Sequence, residues 1–223
     1  MPGEGFWAGI AGPKGLVAPT AGPELLFDDE FEVESDIDLA SHTPIIGGGY
    51  QVPSGRFDIL SVSNQARNSE DIERAAHTQD ALTVAYTAFV EAIKGDADTA
   101  RRVGVVVRGN GNDAINTDFT GYFIQVRDGL LRIRRAVNGT GTGLADTAIP
   151  DFDPLKLYRY QLTATGDNPV ALEAKCIDPD DGSVVAEVTH NDSDADRITT
   201  LDRAGIYGRN SDNRFARFWV EAL

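Results

Sequence analysis

Near the end of the sequence, alternating residues place an arginine and a tryptophan on the same side of a predicted strand. If residues 215–223 are extended, one apolar set is predicted to face the core: Ala216, Phe218, Val220 and Ala222. The other set is predicted to face outwards: Phe215, Arg217, Trp219 and Glu221. An aromatic ring beside a guanidinium is typical of sugar-binding sites and of protein interfaces. Burial of Trp219 under a loop or another strand is the alternative.

Three further residues are candidates for the same ligand or interface face as Trp219 and Arg217. Arg132 and Arg134 alternate with Leu131 and Ile133, so both arginines are predicted to face away from the core. Tyr207 lies in a strand-like run just before the last one, and its ring could stack on a sugar as Trp219 could. A glycan groove and a contact with another subunit are both open for this surface.

Closely spaced acidic residues could supply the oxygen ligands that calcium requires. Segment 192–196 reads Asp-Ser-Asp-Ala-Asp, like the start of an EF-hand loop. However, Arg197 and Arg203 stand where such a loop needs Gly and Glu, so an EF-hand is excluded. The weak calcium candidates elsewhere are Asp28, Asp29 and Asp36. We therefore expect no required cofactor, with calcium allowed.

The elements that must position these residues are short strands separated by turns. Apolar and polar residues alternate over short runs from residue 25 onwards, for example in 158–163. About twelve strands can be counted in this way. Asp128-Gly129 predicts a hairpin turn. Helical periodicity is weak, and its best short candidates are 68–76 and 94–101. The pattern predicts an all-β, two-sheet antiparallel sandwich over 25–223.

The first 24 residues differ from the rest because they are dense in Gly and Pro, which disfavours a helix or a central strand. The segment also carries large apolar side chains, which a free linker does not need: Phe6, Trp7, Ile10, Leu16 and Val17. We predict an extended arm over 1–24 that becomes ordered by docking onto another subunit or a larger assembly. A mobile tail is the alternative.

The overall charge limits the classes of partner. The net charge is −15, which argues against nucleic acid because phosphate binding needs concentrated Lys and Arg. No stretch approaches the roughly 20 apolar residues that a membrane span needs, and the N-terminus does not resemble a secretory signal. The lone cysteine, Cys176, alternates with apolar residues and is predicted to be a core thiol.

The start and the end of residues 25–223 resemble those of concanavalin A-like lectin/glucanase jelly rolls found in phage and bacterial proteins. The start has the pattern apolar-Asp-x-Phe, His-Thr-Pro, a Gly-rich turn, an aromatic residue and Ser-Gly. The matching positions are Phe27, Asp29, Phe31, His42, Thr43, Pro44, Gly47, Gly48, Gly49, Tyr50, Ser54 and Gly55. The end, AGIYGRNSDNRFARFWVEAL, resembles the closing pair of strands. This resemblance implies a jelly roll, a fold that lectins, hydrolases and virion proteins share.

The resemblance also has two departures. Jelly-roll glucanases present their catalytic carboxylates as Glu-x-Asp-x-x-Glu, whereas the nearest stretch, Glu34 to Leu39, lacks the final Glu. Relatives commonly carry acids before the penultimate aromatic residue, where this chain has Ala216 and Arg217. The first departure argues against an enzyme, and the second argues against a calcium site at that point.

Three functions are therefore ranked. The first is a phage virion structural protein, either capsid-decorating or tail-associated. It is expected to dock through its arm onto other virion proteins and to form a homo-oligomer, a trimer. The second is a carbohydrate-binding module for a surface glycan, and the third is a jelly-roll glycoside hydrolase. The expected location is the virion, with the cytoplasm, or the extracellular space without a signal peptide, as the alternatives.

Overall fold

The computed structural model describes most of the chain, and the chain folds into β-strands. The described residues are 22–29, 50–51, 57–60, 65–68, 74–78, 81–96, 101–110, 119–209 and 213–223. Several predicted features lie outside them: Phe6, Trp7, Ile10, Leu16 and Val17 of the arm, Asp36, and the segment 34–39. The arm and its boundary at residue 24 therefore stay predictions.

Fifteen strands make up the described structure. They are β1 (Leu25–Asp29), β2 (Tyr50–Gln51), β3 (Phe57–Leu60), β4 (Gln65–Asn68), β5 (Arg74–Thr78), β6 (Tyr86–Ile93), β7 (Arg102–Asn110), β8 (Thr120–Arg127), β9 (Leu130–Val137), β10 (Thr140–Ala148), β11 (Tyr158–Thr165), β12 (Val170–Ile177), β13 (Val184–Asp192), β14 (Arg203–Arg209) and β15 (Arg214–Ala222). No helix occurs among the described residues, so the helix expected over 68–76 is wrong where β5 begins. In particular, this part of the chain has no helix long and apolar enough to cross a membrane.

The strands form two antiparallel sheets packed face to face, so the predicted all-β sandwich is confirmed. The first sheet has the order β13-β12-β11-β6-β15-β4-β3, and β1 also pairs with β15. The second sheet has the order β10-β9-β8-β7-β14-β5-β2. Each sheet has an inner face, turned towards the other sheet, and an outer face, turned away from it.

The inner faces enclose the main core. Strands β7 and β8 contribute Val105 and Ile124, which pack with Leu162 and Phe218 of the first sheet, all fully buried. Each such side chain contributes about 1.5–3 kcal/mol of hydrophobic free energy. Cys176 belongs to the same core, and burial raises the pKa of its thiol to about 12. The predicted core thiol is therefore confirmed, and it stays protonated at neutral pH.

Two tight turns connect the strands β8, β9 and β10. Asp128 and Gly129 have positive φ angles of 54° and 68°, and Asn138 and Gly139 have 47° and 77°. Two consecutive positive φ angles define the hairpin turn that matches the natural twist of the strands. The hairpin predicted at Asp128-Gly129 is confirmed, and the two turns place β8, β9 and β10 side by side.

The last strand departs from simple alternation. A register shift lies between Phe215 and Arg217 where β15 pairs with β6, which marks a β-bulge. Because of it, Phe215 and Phe218 both reach the core, and both are fully buried. The prediction that Phe215 faces outwards with Trp219 is therefore wrong, whereas the inward direction of Phe218 and Val220 is confirmed.

Candidate ligand-binding surface

The five residues predicted to share one surface lie on two different sheets. Trp219 and Arg217 are on β15 in the first sheet. Tyr207 on β14, and Arg132 and Arg134 on β9, belong to the second sheet. The prediction of a common face is therefore wrong, and the two outer faces have to be considered separately.

On the outer face of the first sheet, Trp219 is covered by its neighbours. Its ring stacks against that of Phe89, with centroids 4.9 Å apart and planes 5° apart. The guanidinium carbons of Arg159 and Arg217 lie 5.1 and 4.8 Å from the Trp219 ring centroid. The residue is only 6% exposed, so its ring offers no open platform on which a sugar could stack.

The two arginines that cover Trp219 are themselves held by carboxylates. Arg217 donates two hydrogen bonds to Asp28, at 2.9 and 2.7 Å. Arg159 donates two to Glu91, at 3.1 and 2.8 Å. This outer face is therefore occupied by ion pairs and cation–π contacts that satisfy one another.

The calcium candidates find no site in the described part of the chain. The Asp28 carboxylate is engaged by Arg217, and the backbone of Asp29 in β1 pairs with that of Phe218 in β15. Among the described residues, no group of three or more His, Cys, Asp or Glu side chains could hold a metal ion. Calcium stays a prediction.

The acidic run that looked like the start of a calcium loop binds an arginine instead. Arg135 Nη1 donates to both carboxylate oxygens of Asp192 at 2.8 Å, and its Nη2 lies 3.1 Å from Asp194 and 2.7 Å from Asp196. The Tyr122 hydroxyl donates to Asp192 at 2.7 Å and accepts from the Ile198 backbone at 2.9 Å. The network fastens the loop after β13 to the end of the sandwich.

On the outer face of the second sheet, donors converge on Gln125 of β8. The hydrogen-bond network determines which way the Gln125 carboxamide points, because its oxygen must face the surrounding donors. In it, the Gln125 oxygen accepts from Arg102 Nη1 at 3.1 Å, from Tyr207 Oη at 2.9 Å and from Arg134 Nη1 at 3.3 Å. Strands β7, β8, β9 and β14 each contribute one of these residues, so the site depends on the order of strands in the sheet.

More arginines surround this centre. Arg132 lies opposite Gln125 in the pairing of β8 with β9, and Arg127 is two residues further along β8. Arg209 of β14 lies opposite Arg102 of β7. We call this set the arginine face: Arg102, Arg127, Arg132, Arg134 and Arg209.

Beneath the arginines lies a small apolar layer, separate from the main core. Val106, Phe123 and Tyr207 are fully buried in it, together with Phe119. The rings of Phe123 and Tyr207 are 4.9 Å apart, and the Arg134 guanidinium carbon lies 5.9 Å from the Phe123 centroid. Tyr207 is therefore part of the buried layer under the arginines. The prediction that its ring could stack on a sugar is wrong, because the ring is not exposed.

The charges of the arginine face act on one another. Burial lowers the pKa of Arg102, and the positive charges of Arg209, Arg127 and Arg134 lower it further, against an opposing effect of Tyr207. Burial raises the pKa of Tyr207, so its hydroxyl is neutral and can donate to Gln125. The positive charges of these arginines repel one another, and an anion bound among the arginines would relieve that repulsion.

A groove of about 460 Å³ opens beside the arginine face. Its lining includes Arg132 and Arg134 of β9 and Gly143 to Asp146 of the edge strand β10. A register shift between Gly143 and Ala145 makes a bulge in β10 at this point. The groove is therefore polar, open and supplied with guanidinium donors.

Sequence reasoning found only part of this surface. Arg132 and Arg134 were identified by alternation, but Gln125 and Arg127, which alternate in the same way with Ile124 and Val126, were missed. The signal that could have found them is the repeated arginine pattern on consecutive strands joined by the Asp128-Gly129 turn. Arg102 and Arg209 needed knowledge of the strand order.

Carboxylates are sparse on the second sheet. Within its described strands Asp146 is the one acidic residue, opposite Arg132 in the pairing of β9 with β10. Glycoside hydrolysis commonly uses two carboxylates that flank the scissile bond. The described strands of this sheet therefore present guanidinium groups where such a pair would be needed.

The fold is similar to those of several solved structures. The carbohydrate-binding module CBM66 from Bacillus subtilis is 16% identical, with a TM-score of 0.56, over 78% of this chain and 96% of that chain. The CBM2 module of the evolved Dit protein of Lactobacillus casei BL23 phage J-1 is 11% identical, with a TM-score of 0.54, over 90% and 96%. The β-glucanase of Bacillus licheniformis is 10% identical, with a TM-score of 0.55, over 92% and 100%.

These similarities establish the fold. The chain has the concanavalin A-like jelly roll that its sequence resemblance implied. At sequence identities this low, similarity shows the fold but not the function. The similar structures include both binding modules and a hydrolase. No protein-family model matches the sequence, and no curated protein matches it significantly.

Proposed function

We propose that this protein is a carbohydrate-binding module that holds a saccharide on the arginine face of the second sheet. The observation that carries the proposal is an open groove of about 460 Å³ lined by Arg132 and Arg134. Beside it, Arg134 is held in place by the fully buried Gln125. Guanidinium groups present several donors in a fixed plane, and saccharide hydroxyls and acids accept such bonds. The similarity to the module CBM66 supports the same function.

A binding role fits this surface better than hydrolysis. The described strands of the second sheet carry Asp146 as their one acidic residue, and glycosidases commonly need two carboxylates. A β-glucanase is among the similar structures. The expectation that the chain is not an enzyme therefore stays a prediction, supported by the composition of this face.

A polysaccharide-binding screen tests the proposal. The full chain is expected to be retained by at least one immobilised polysaccharide, and Arg134→Ala is expected to weaken that binding at least tenfold, or about 1.4 kcal/mol. Arg159→Ala is the matched control, because Arg159 lies on the outer face of the first sheet. It should bind as the wild type does. Retention by no polysaccharide, or loss of binding in the control alone, would contradict the proposal.

A second candidate function is display on a phage particle. The similarity to the CBM2 module of a phage Dit protein favours it. The two functions are compatible, because that structure is a module of a phage protein. On this proposal the arm over 1–24 docks onto other virion proteins, and the chain assembles as a trimer. Light scattering should give three times the monomer mass for the full chain, and a purely monomeric chain would count against the trimer.

A further inference from the structure

The arginine face is unusual for the protein that carries it. The chain has 35 acidic and 20 basic residues and a net charge of −15. Yet five arginines share one outer face, and the described strands of that sheet include a single acidic residue, Asp146. Because carboxylates are abundant in this chain, their scarcity in the described strands of the second sheet is informative.

Three arginines elsewhere in the described structure are matched by carboxylates. Arg135 contacts three of them, at the end of the sandwich. On the outer face of the first sheet, Arg159 pairs with Glu91 and Arg217 with Asp28. Each of these guanidiniums has at least one carboxylate oxygen within 2.8 Å.

The central arginines of the arginine face are matched differently. Arg127 and Arg132 share one carboxylate, Asp128, at 3.0 and 4.0 Å. Arg134 contacts the Gln125 carboxamide and the Phe123 ring, and no carboxylate within the described residues. Arg132 and Arg134 line the groove, and the contacts of their terminal nitrogens with the described residues are long, at 4.0 Å to Asp128 and 3.3 Å to Gln125. These terminal nitrogens therefore keep donor capacity for a ligand in the groove.

Resting on the proposed function, we infer that the saccharide is anionic and that its acidic groups, uronate carboxylates or sulfate esters, are bound by Arg132 and Arg134 at the groove. The two arginines are two residues apart on β9, so their Cα atoms lie about 7 Å apart along the strand. Both line the same groove, and together they can hold two acidic groups of one extended chain. Paired guanidinium donors match the oxygens of carboxylate and sulfate alike.

The setting of the groove strengthens such an interaction. Phe123 lies under Arg134 and belongs to a fully buried apolar layer, so one side of the guanidinium is shielded from water. Charge-assisted hydrogen bonds are roughly twice as strong as those between neutral groups. Asp146, which also lines the groove, would oppose an anion placed beside it, so the acidic groups are expected on the β9 side.

Matched pairs of polymers test the inference. Affinity electrophoresis would compare polygalacturonate with its methyl ester, and dextran sulfate with dextran, using the full chain. We expect at least tenfold tighter binding of one charged polymer than of its neutral partner, and affinity that falls as salt rises. The uronate and sulfate pairs distinguish the two sources of negative charge.

Two variants, one control variant and one alternative ligand, single-stranded DNA, complete the experiment. Arg132→Gln and Arg134→Gln should each weaken binding of the charged polymer at least tenfold, whereas Arg159→Gln should not, with thermal melts showing that all three variants fold. Equal binding of charged and neutral polymers that still depends on Arg134 overturns the inference and leaves the proposed function standing. Binding of no polysaccharide overturns both, and equal binding of single-stranded DNA overturns the saccharide class.

Discussion

Replacing Asp192 with alanine is expected to lower the free energy of unfolding by about 3–5 kcal/mol, the usual loss when one partner of a buried ion pair is removed. The Asp192 and Arg135 side chains are 1% and 4% exposed. Without Asp192, the Arg135 guanidinium keeps only Asp194 and Asp196, which are largely exposed to solvent. The Tyr122 hydroxyl also loses its acceptor inside the protein.

Asp196→Asn provides the matched control. Asp196 contacts the same guanidinium at 2.7 Å but is 57% exposed, and surface ion pairs contribute only about 0–1 kcal/mol. Urea unfolding of the wild type and both variants measures the difference. Equal destabilisation by the two substitutions, or a loss below about 1 kcal/mol for Asp192→Ala, would mean that the network does not fasten the loop.

The same network gives a sign for the effect of pH. Burial alone would raise the pKa of Asp192, but hydrogen bonds from Tyr122 and Arg135 hold it below its ordinary value. Its contribution to stability is therefore complete above the unfolded value of about 3.9 and is lost as pH falls through the lower folded value. Asp192→Asn should lose less stability than the wild type as the pH falls below about 4.

Replacing Gly104 with alanine is expected to destabilise the fold by about 3 kcal/mol or more, at or above the upper end of overpacking effects. A Cβ atom on Gly104 would lie 2.0 Å from the backbone oxygen of Ile124. That oxygen belongs to the neighbouring strand β8, so no side-chain rotation can relieve the clash. Strands β7 and β8 would have to separate, which would disturb both the core and the arginine face.

Gly143→Ala is the control for this prediction, because a Cβ at Gly143 meets nothing within 4 Å. In a strand, alanine in place of glycine is expected to be neutral or stabilising by about 0.4–1 kcal/mol. The midpoints of thermal unfolding of the two variants give the comparison. If Gly104→Ala melts within a few degrees of the control, the close approach of β7 to Ile124 is not a constraint on the fold.

Much of the fold could be predicted because strands with one buried face leave a local signal. The alternation around Tyr160 and Leu162 predicted inward-facing positions, and both residues are fully buried. The turn at Asp128-Gly129 is also local, because its residue types tolerate positive φ. What alternation cannot predict is a bulge, which is why the direction of Phe215 was wrong.

The site was less predictable because it depends on which strands are neighbours. Trp219 and Tyr207 are twelve residues apart in sequence, yet they belong to different sheets. Arg135 and Asp192 are 57 residues apart and meet through the crossing of β9 and the end of β13. No local sequence pattern predicts that an acidic run resembling a calcium loop binds an arginine instead of a metal ion.

The most direct measurement is of where a bound saccharide lies, by NMR titration of the full chain with the polymer fragment that binds best. The side-chain Nε–H signals of Arg132 and Arg134 and the Gln125 amide report on the arginine face. The Trp219 indole and the Arg159 Nε–H report on the outer face of the first sheet. The first group is expected to shift while the second stays in place. Shifts confined to Trp219 and Arg159, with the arginine face unchanged, would contradict the assignment of the binding surface.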